Sequence, residues 1–169
     1  MRVPSEGRGG CSKEPPAKLL RSYRHSLACL LVIGGQVDGR RAVALAFHEA
    51  GPLRQGPFVF LDCERQEDLL RAALEAVLTH TDPTSAANPV LAAWGGTLHL
   101  DSVEQLGLDT QRLLLCLVHE LLSDQAGALR LSVGAASELE QARDEGRFLP
   151  ALFDGLDKIR FEVDRSIAA

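Results

Sequence analysis

Residues 26–33, Ser-Leu-Ala-Cys-Leu-Leu-Val-Ile, form a nearly unbroken apolar run that stops at Gly34-Gly35. A run this short, closed by glycines, predicts a strand buried on both faces. Asp38–Glu49 carries Val43, Ala46 and Phe47 at helical spacing. Phe58–Leu61 reads as a second strand behind the turn residues Gly56 and Pro57. Leu69–Leu78 predicts a Leu/Ala helix, Thr79–Asn88 a loop, and Thr97–Leu100 a short strand ending at Asp101. Asp109–Leu122 sets Leu113, Leu114, Leu117, Val118 and Leu121 along one side, with Asp109 or Thr110 placed to cap it. Leu129–Val133 predicts a strand, and Ser137–Glu145 a helix that stops at Gly146. Lys158–Val163 alternates in the manner of an edge strand, and no internal repeat is visible.

Strands alternating with helices imply an α/β fold, a mostly parallel five-stranded sheet between helical layers. Ligands in such folds sit at the carboxyl ends of the strands. Gly34-Gly35 and Asp101 both fall at such ends, which makes them candidates for a site.

Composition narrows the picture. The chain has 169 residues, 46% apolar and 24% charged, which is ordinary for one globular domain and excludes a wholly disordered or disulfide-dense chain. The net charge of −5 gives no overall pull toward nucleic acid. It is uneven: residues 1–25 hold six basic and two acidic side chains, and residues 1–17 are rich in Gly, Pro and Ser. We therefore expect a disordered basic leader over 1–25 and a single domain over 26–169. Cys11, Cys29, Cys63 and Cys116 are too widely spaced for a metal or disulfide framework, so reduced thiols in a cytoplasm are expected. His48, His99 and His119 lie far apart on apolar elements and read as core or surface residues rather than metal ligands, and Trp94 reads as packing its turn.

The strand–turn–helix at Gly34-Gly-Gln-Val-Asp-Gly39-Arg40 has two glycines at the spacing of a phosphate-binding P-loop. In that loop backbone N–H groups cradle phosphates and a lysine reaches the terminal ones. Here Arg40 holds the lysine position, Asp38 brings a negative charge and Val37 is β-branched. Arg40 and Arg41 could clamp an anion at the helix N-terminus; as charged residues on a helix they read equally as exposed.

Three longer stretches carry a resemblance. GGQVDGRRAVALAFHEA with PFVFLDC, GGTLHLDSVEQLGLDTQRLLLCLVHE, and LRLSVGAASELEQARDEGRFLPALFDGLDKIRFEV together resemble the AAA+ domain of sigma-54-dependent transcription activators, the bacterial enhancer-binding proteins. The likeness runs from about Leu27 to Val163. It implies a three-layer α-β-α P-loop NTPase core, ending at a point where the family's helical lid would follow and without the family's DNA-binding segment.

Carried over residue by residue, the resemblance implies a nucleotide site at Gly34, Gly35, Gly39, Arg40 and Arg41, with Asp101 as the aspartate that holds magnesium through water. Ser102 replaces the glutamate that polarises the attacking water, and a hydroxyl is too weak a base for that task. Ala135 and Ala136 replace a polar sensor pair and offer no side-chain donor. Leu149 and Gly155 replace the two arginines that reach a neighbour's nucleotide. The loop over 79–93 holds nothing like the sigma-contacting GAFTGA motif. Ala42, Val43, Phe58, Val59, Leu98, Leu100, Leu114, Leu117 and Phe148 are retained packing positions.

The expectation is a degenerate, non-hydrolysing sigma-54-interaction domain in transcriptional regulation, with no catalytic residues and no cofactor. Its partners would be proteins, among them intact sigma-54 activators or itself, with neither DNA nor membrane bound directly. A weak ATP-binding switch using ATP and magnesium is the competing expectation, and a decayed fragment is a third.

Overall fold

The computed structural model describes residues 15–81, 87–123 and 129–163. A five-stranded sheet, β1 (Leu30–Ile33), β2 (Phe58–Asp62), β3 (Thr97–Asp101), β4 (Arg130–Ala135) and β5 (Ile159–Glu162), is ordered β2-β3-β4-β1-β5. Every pairing is parallel, including that of the β5 edge. Parallel neighbours need crossovers, and helices supply them: α2 (Val37–Glu49), α3 (Cys63–Thr79), α5 (Leu108–Ser123) and α7 (Pro150–Leu156). The short helices α1 (Ala17–Ser22), α4 (Pro89–Ala92) and α6 (Leu139–Asp144) and a 3-10 turn η1 (Val103–Gln105) complete the three layers.

The two faces of the sheet differ in chemistry. Leu31, Leu98, Leu100, Leu131, Val133 and Ala135 pack with Leu70, Leu74, Leu114, Leu117, Leu152 and Phe148 into one apolar core. The opposite face, under α2, is apolar along β1 and β5, where Leu30, Val32, Val43, Phe47 and Ile159 cluster, and along β2, where Phe58 and Phe60 stand. Its centre is polar: Thr97, His99 and Asp101 alternate along β3, with Arg130, Ser132 and Gly134 beside them on β4. Thr97 bonds His48 Nδ1 at 2.8 Å and His99 Nδ1 meets Ser132 Oγ at 2.9 Å. Arg130, 2% exposed, donates from Nη1 to the Phe47 carbonyl at 3.3 Å, at the negative end of α2. Its Nε and Nη2 have no partner.

Several boundaries differ from expectation, each for a local reason. β1 starts at Leu30 rather than at residue 26, because the chain is still turning after α1, with Ser26 N on Tyr23 O at 3.0 Å and Ala28 N on Ser26 Oγ at 3.2 Å. α3 starts at Cys63, six residues before Leu69, since the Asp62 carboxylate accepts from Glu64 N at 3.1 Å and caps it. α5 is held at its N-terminus by Glu67 of α3, which accepts from Gly107 N (2.7 Å) and Thr110 Oγ1 (2.9 Å). Asp109 instead pairs with Arg112 at 2.7 Å. The leader expected over 1–25 is helical at Ala17–Ser22, where Leu19, Leu20 and Tyr23 pack on the Phe47 cluster; residues 1–14 of that leader lie outside the described residues. Ala42 is exposed, and Phe58 and Val59 of the edge strand are only half-buried. Trp94 is 48% exposed rather than packed into its turn.

Candidate functional site

The carboxyl ends of β1, β3 and β4 meet the N-terminus of α2, and the sequence candidates are sorted there. Arg40 is the surprise. Expected as readily on the surface as at an anion, it is 4% exposed. The side chain turns back under its own helix. Nε donates to Asp101 Oδ1 and Nη2 to Asp101 Oδ2, both at 2.8 Å, a bidentate fork. Nη1 donates to the carbonyls of Gly34 (3.1 Å) and Gly35 (3.0 Å). One guanidinium thus ties α2 to β3 and to the β1–α2 turn. A lysine could not copy this, because it lacks the planar fork.

Asp101 is fully buried and its oxygens are engaged. Besides the fork, Oδ2 accepts from Ser102 Oγ at 3.0 Å. His99 Nε2 lies 3.5 Å from Oδ1 and has no nearer partner. Burial alone would raise the Asp101 pKa; the Arg40 hydrogen bonds, with His99 beside them and the Arg40 charge, outweigh it and hold the carboxyl well below the usual range. The same hydrogen bond raises Arg40 against the opposing effect of burial. His99 goes the other way, pushed down by burial. Ser102 itself sits in left-handed backbone, φ 58°, which positions its hydroxyl over the carboxylate.

One glycine makes room for the pair, and another lets the turn beside it close. A side chain at Gly134 would overlap Asp101 Oδ1 and approach the Arg40 stem. Gly34 needs its positive φ of 89°, and a Cβ there would meet the Val163 carbonyl at 2.8 Å. Val163 in turn donates its N–H to Ile33 O at 2.8 Å and closes over the turn. Gly39 has no such constraint: the nearest atom to its would-be Cβ is 3.8 Å away.

The turn itself is short. Only Gly34, Gly35 and Gln36 separate β1 from α2, so Val37 and Asp38 already belong to the helix. Gly34 N donates to Ala135 O at 2.9 Å, and the two glycine carbonyls point at Arg40. The first N–H groups of α2 carry no side-chain cap, but Arg40 fills the place of the phosphate-reaching lysine and a hydrated magnesium would find no Asp101 oxygen free of it. ATP with magnesium does not fit these residues as arranged.

The remaining candidates divide. Arg41 is exposed and does not join the cluster; its guanidinium lies 4.8 Å from the Phe60 ring, which stacks on His99 at 5.5 Å. Ala135 is buried, and Ala136 N donates to Glu104 Oε1 at 3.3 Å. Burial raises the pKa of that glutamate. Leu149 packs against the main core, and a Cβ on Gly155 would stand 3.2 Å from Val118. Both arginine positions of the resemblance are thus built into the α5–α7 contact. His99, Ser132, Gly134 and Val163 were not candidates, although the two-residue step from His99 to Asp101 on a buried strand places both on one face.

The family model described as the sigma-54 interaction domain matches residues 12–162. The chain belongs to that family. It is 31% identical over 152 residues to the C4-dicarboxylate transport transcriptional regulatory protein DctD of Pseudomonas aeruginosa, covering 79% of this chain and 32% of that protein. It is 32% identical over 146 residues to the acetoin catabolism regulatory protein of Cupriavidus necator, covering 79% and 22%. The chain therefore spans a third or less of these curated relatives. Among solved structures, NtrX of Brucella abortus in complex with ATP superposes with a TM-score of 0.70 at 21% identity, covering 87% of this chain and 34% of NtrX. The P-loop NTPase domain of the sigma-54 transport activator from Escherichia coli gives 0.61 at 20% identity, covering 86% and 89%. These likenesses establish a AAA+ P-loop fold for a sigma-54 interaction domain. Among the described residues no helix is long and apolar enough to cross a membrane.

Proposed function

We propose that this domain regulates transcription by protein contact and does not bind or hydrolyse ATP. The observation that carries the reading is the bidentate Arg40–Asp101 pair, which occupies the lysine and magnesium-aspartate positions with each other. Ser102 in place of the base, Ala135 and Ala136 in place of the sensor, and Leu149 and Gly155 in the α5–α7 contact support it. An intact sigma-54 activator, or a second copy, is the proposed partner; a subunit that supplies neither nucleotide nor arginine would poison a mixed assembly. The domain is proposed to act in a bacterial cytoplasm, with residues 26–169 and the packed helix α1 as its unit.

Calorimetric titration of the purified chain with ATP and magnesium tests this. No saturable heat at millimolar nucleotide is expected. Saturable heat would favour the second reading, an ATP-binding switch, for which the spacing of Gly34 and Gly39 and the presence of Asp101 are the supporting observations. The Arg40→Lys, Ser102→Glu variant, titrated alongside, reports whether side chains alone block the site. Failure of a purified intact activator domain to retain the chain in a pull-down would remove the poisoning role.

A further inference from the structure

In P-loop proteins the phosphates and their metal hold together segments that loosen when the ligand leaves. Here the corresponding segments are held together by the chain itself. Arg40 reaches Asp101 on β3 and the Gly34 and Gly35 carbonyls after β1. Asp101 holds Ser102 and lies against Gly134 of β4. Gly34 N returns to Ala135 O, and Ala136 N to Glu104. The turn, the β3 end and the β4 end are therefore joined into one network, and its central charges are shielded from water, with side-chain exposures of 5% and 0%.

We infer that Arg40 is a built-in occupant of the site that locks the carboxyl edge of the sheet into a single arrangement, so that any surface displayed there is constitutive and insensitive to nucleotide. The inference rests on the reading that the site takes no ATP, but adds a mechanical claim that can fail separately. A site that was merely empty would leave the glycine turn and the β3 and β4 ends loosely held. A site filled by a fork with four hydrogen bonds makes them among the slowest-opening parts of that edge.

The test is amide hydrogen exchange on the full chain, with and without ATP and magnesium, for the wild type and Arg40→Gln. In the wild type, protection of residues 34–40, 101–106 and 134–136 is expected to be unchanged by nucleotide. In Arg40→Gln these three segments should exchange about ten-fold faster or more, over and above the common acceleration that lower global stability gives β2 and α3. Unchanged exchange in the variant overturns the lock and leaves the non-binding proposal standing. Protection that rises in the wild type on adding nucleotide overturns the non-binding proposal itself. Should Arg40→Gln fail to fold, the Arg40→Met, Asp101→Leu double variant removes both charges together and leaves no buried ion unpaired. The lock then predicts the same local loosening in a folded chain, and its absence refutes the lock.

Discussion

Removing one half of the Arg40–Asp101 pair should be far more damaging than removing both. The two side chains are 5% and 0% exposed, so neither solvent screening nor relaxation into water relieves a charge left alone. Loss of one partner from a buried pair costs about 3–5 kcal/mol. Arg40→Met strands a carboxylate that keeps only Ser102 Oγ and the distant His99 Nε2 for company, and it also frees the Gly34 and Gly35 carbonyls. Asp101→Leu strands a guanidinium that keeps only the two carbonyls. Since small domains are stable by about 5–15 kcal/mol, either single change removes about a fifth of that or more. The double change Arg40→Met, Asp101→Leu replaces the ions with apolar volume, and such swaps are often neutral or stabilising. A coupling of at least about 3 kcal/mol is therefore expected from the double-mutant cycle. Equilibrium unfolding in urea, with stability from linear extrapolation, measures all three variants. Singles costing under about 1 kcal/mol, or a double variant as weak as the sum of the singles, would refute the claim that the pair acts as a unit.

Two further outcomes follow from the α2-facing half of the molecule. Burial holds His48 and His99 below the ordinary histidine pKa, so both are neutral at pH 7, whereas the unfolded chain takes up protons near pH 6.5. Stability fully present above that pH should fall as pH drops, by about 1.4 kcal/mol per unit for each histidine until its folded pKa is reached; a urea midpoint that does not move between pH 7.5 and 5 would contradict this. Gly39→Ala should stabilise α2 by about 0.5–1 kcal/mol, because the helix has room for the methyl group; a loss of stability on thermal unfolding would refute this.

The fold was legible because its main elements announce themselves by period and punctuation. The alternation of strands and helices, the glycine stop after Ile33 and the leucine stripe of α5 led to the parallel sheet that is observed. Short helices escaped because α1, α4 and α7 are only four to seven residues long and owe their existence to tertiary packing. The start of α3 escaped because a single carboxylate, Asp62, sets it. At the site, the glycine spacing and the strand ends identified Arg40 and Asp101 but not their embrace. The side chains stand 61 positions apart in sequence, and only β3–β4–β1 adjacency brings them together. An arginine where a lysine was expected looked like a poor ligand for phosphate; its excellence as a ligand for a carboxylate became visible only with the partner in place.

The unequal faces of the sheet carry a consequence for how this sequence can drift. On the α3–α5–α7 side an aliphatic swap that keeps its volume costs little by itself. On the α2 side Arg40 with Asp101, His99 with Ser132, and His48 with Thr97 are each meaningful only as couples. Substitutions there are epistatic: the first half of an exchange passes through a less stable intermediate. Lineages of this domain should therefore vary one residue at a time beneath one layer of helices and in matched pairs beneath the other.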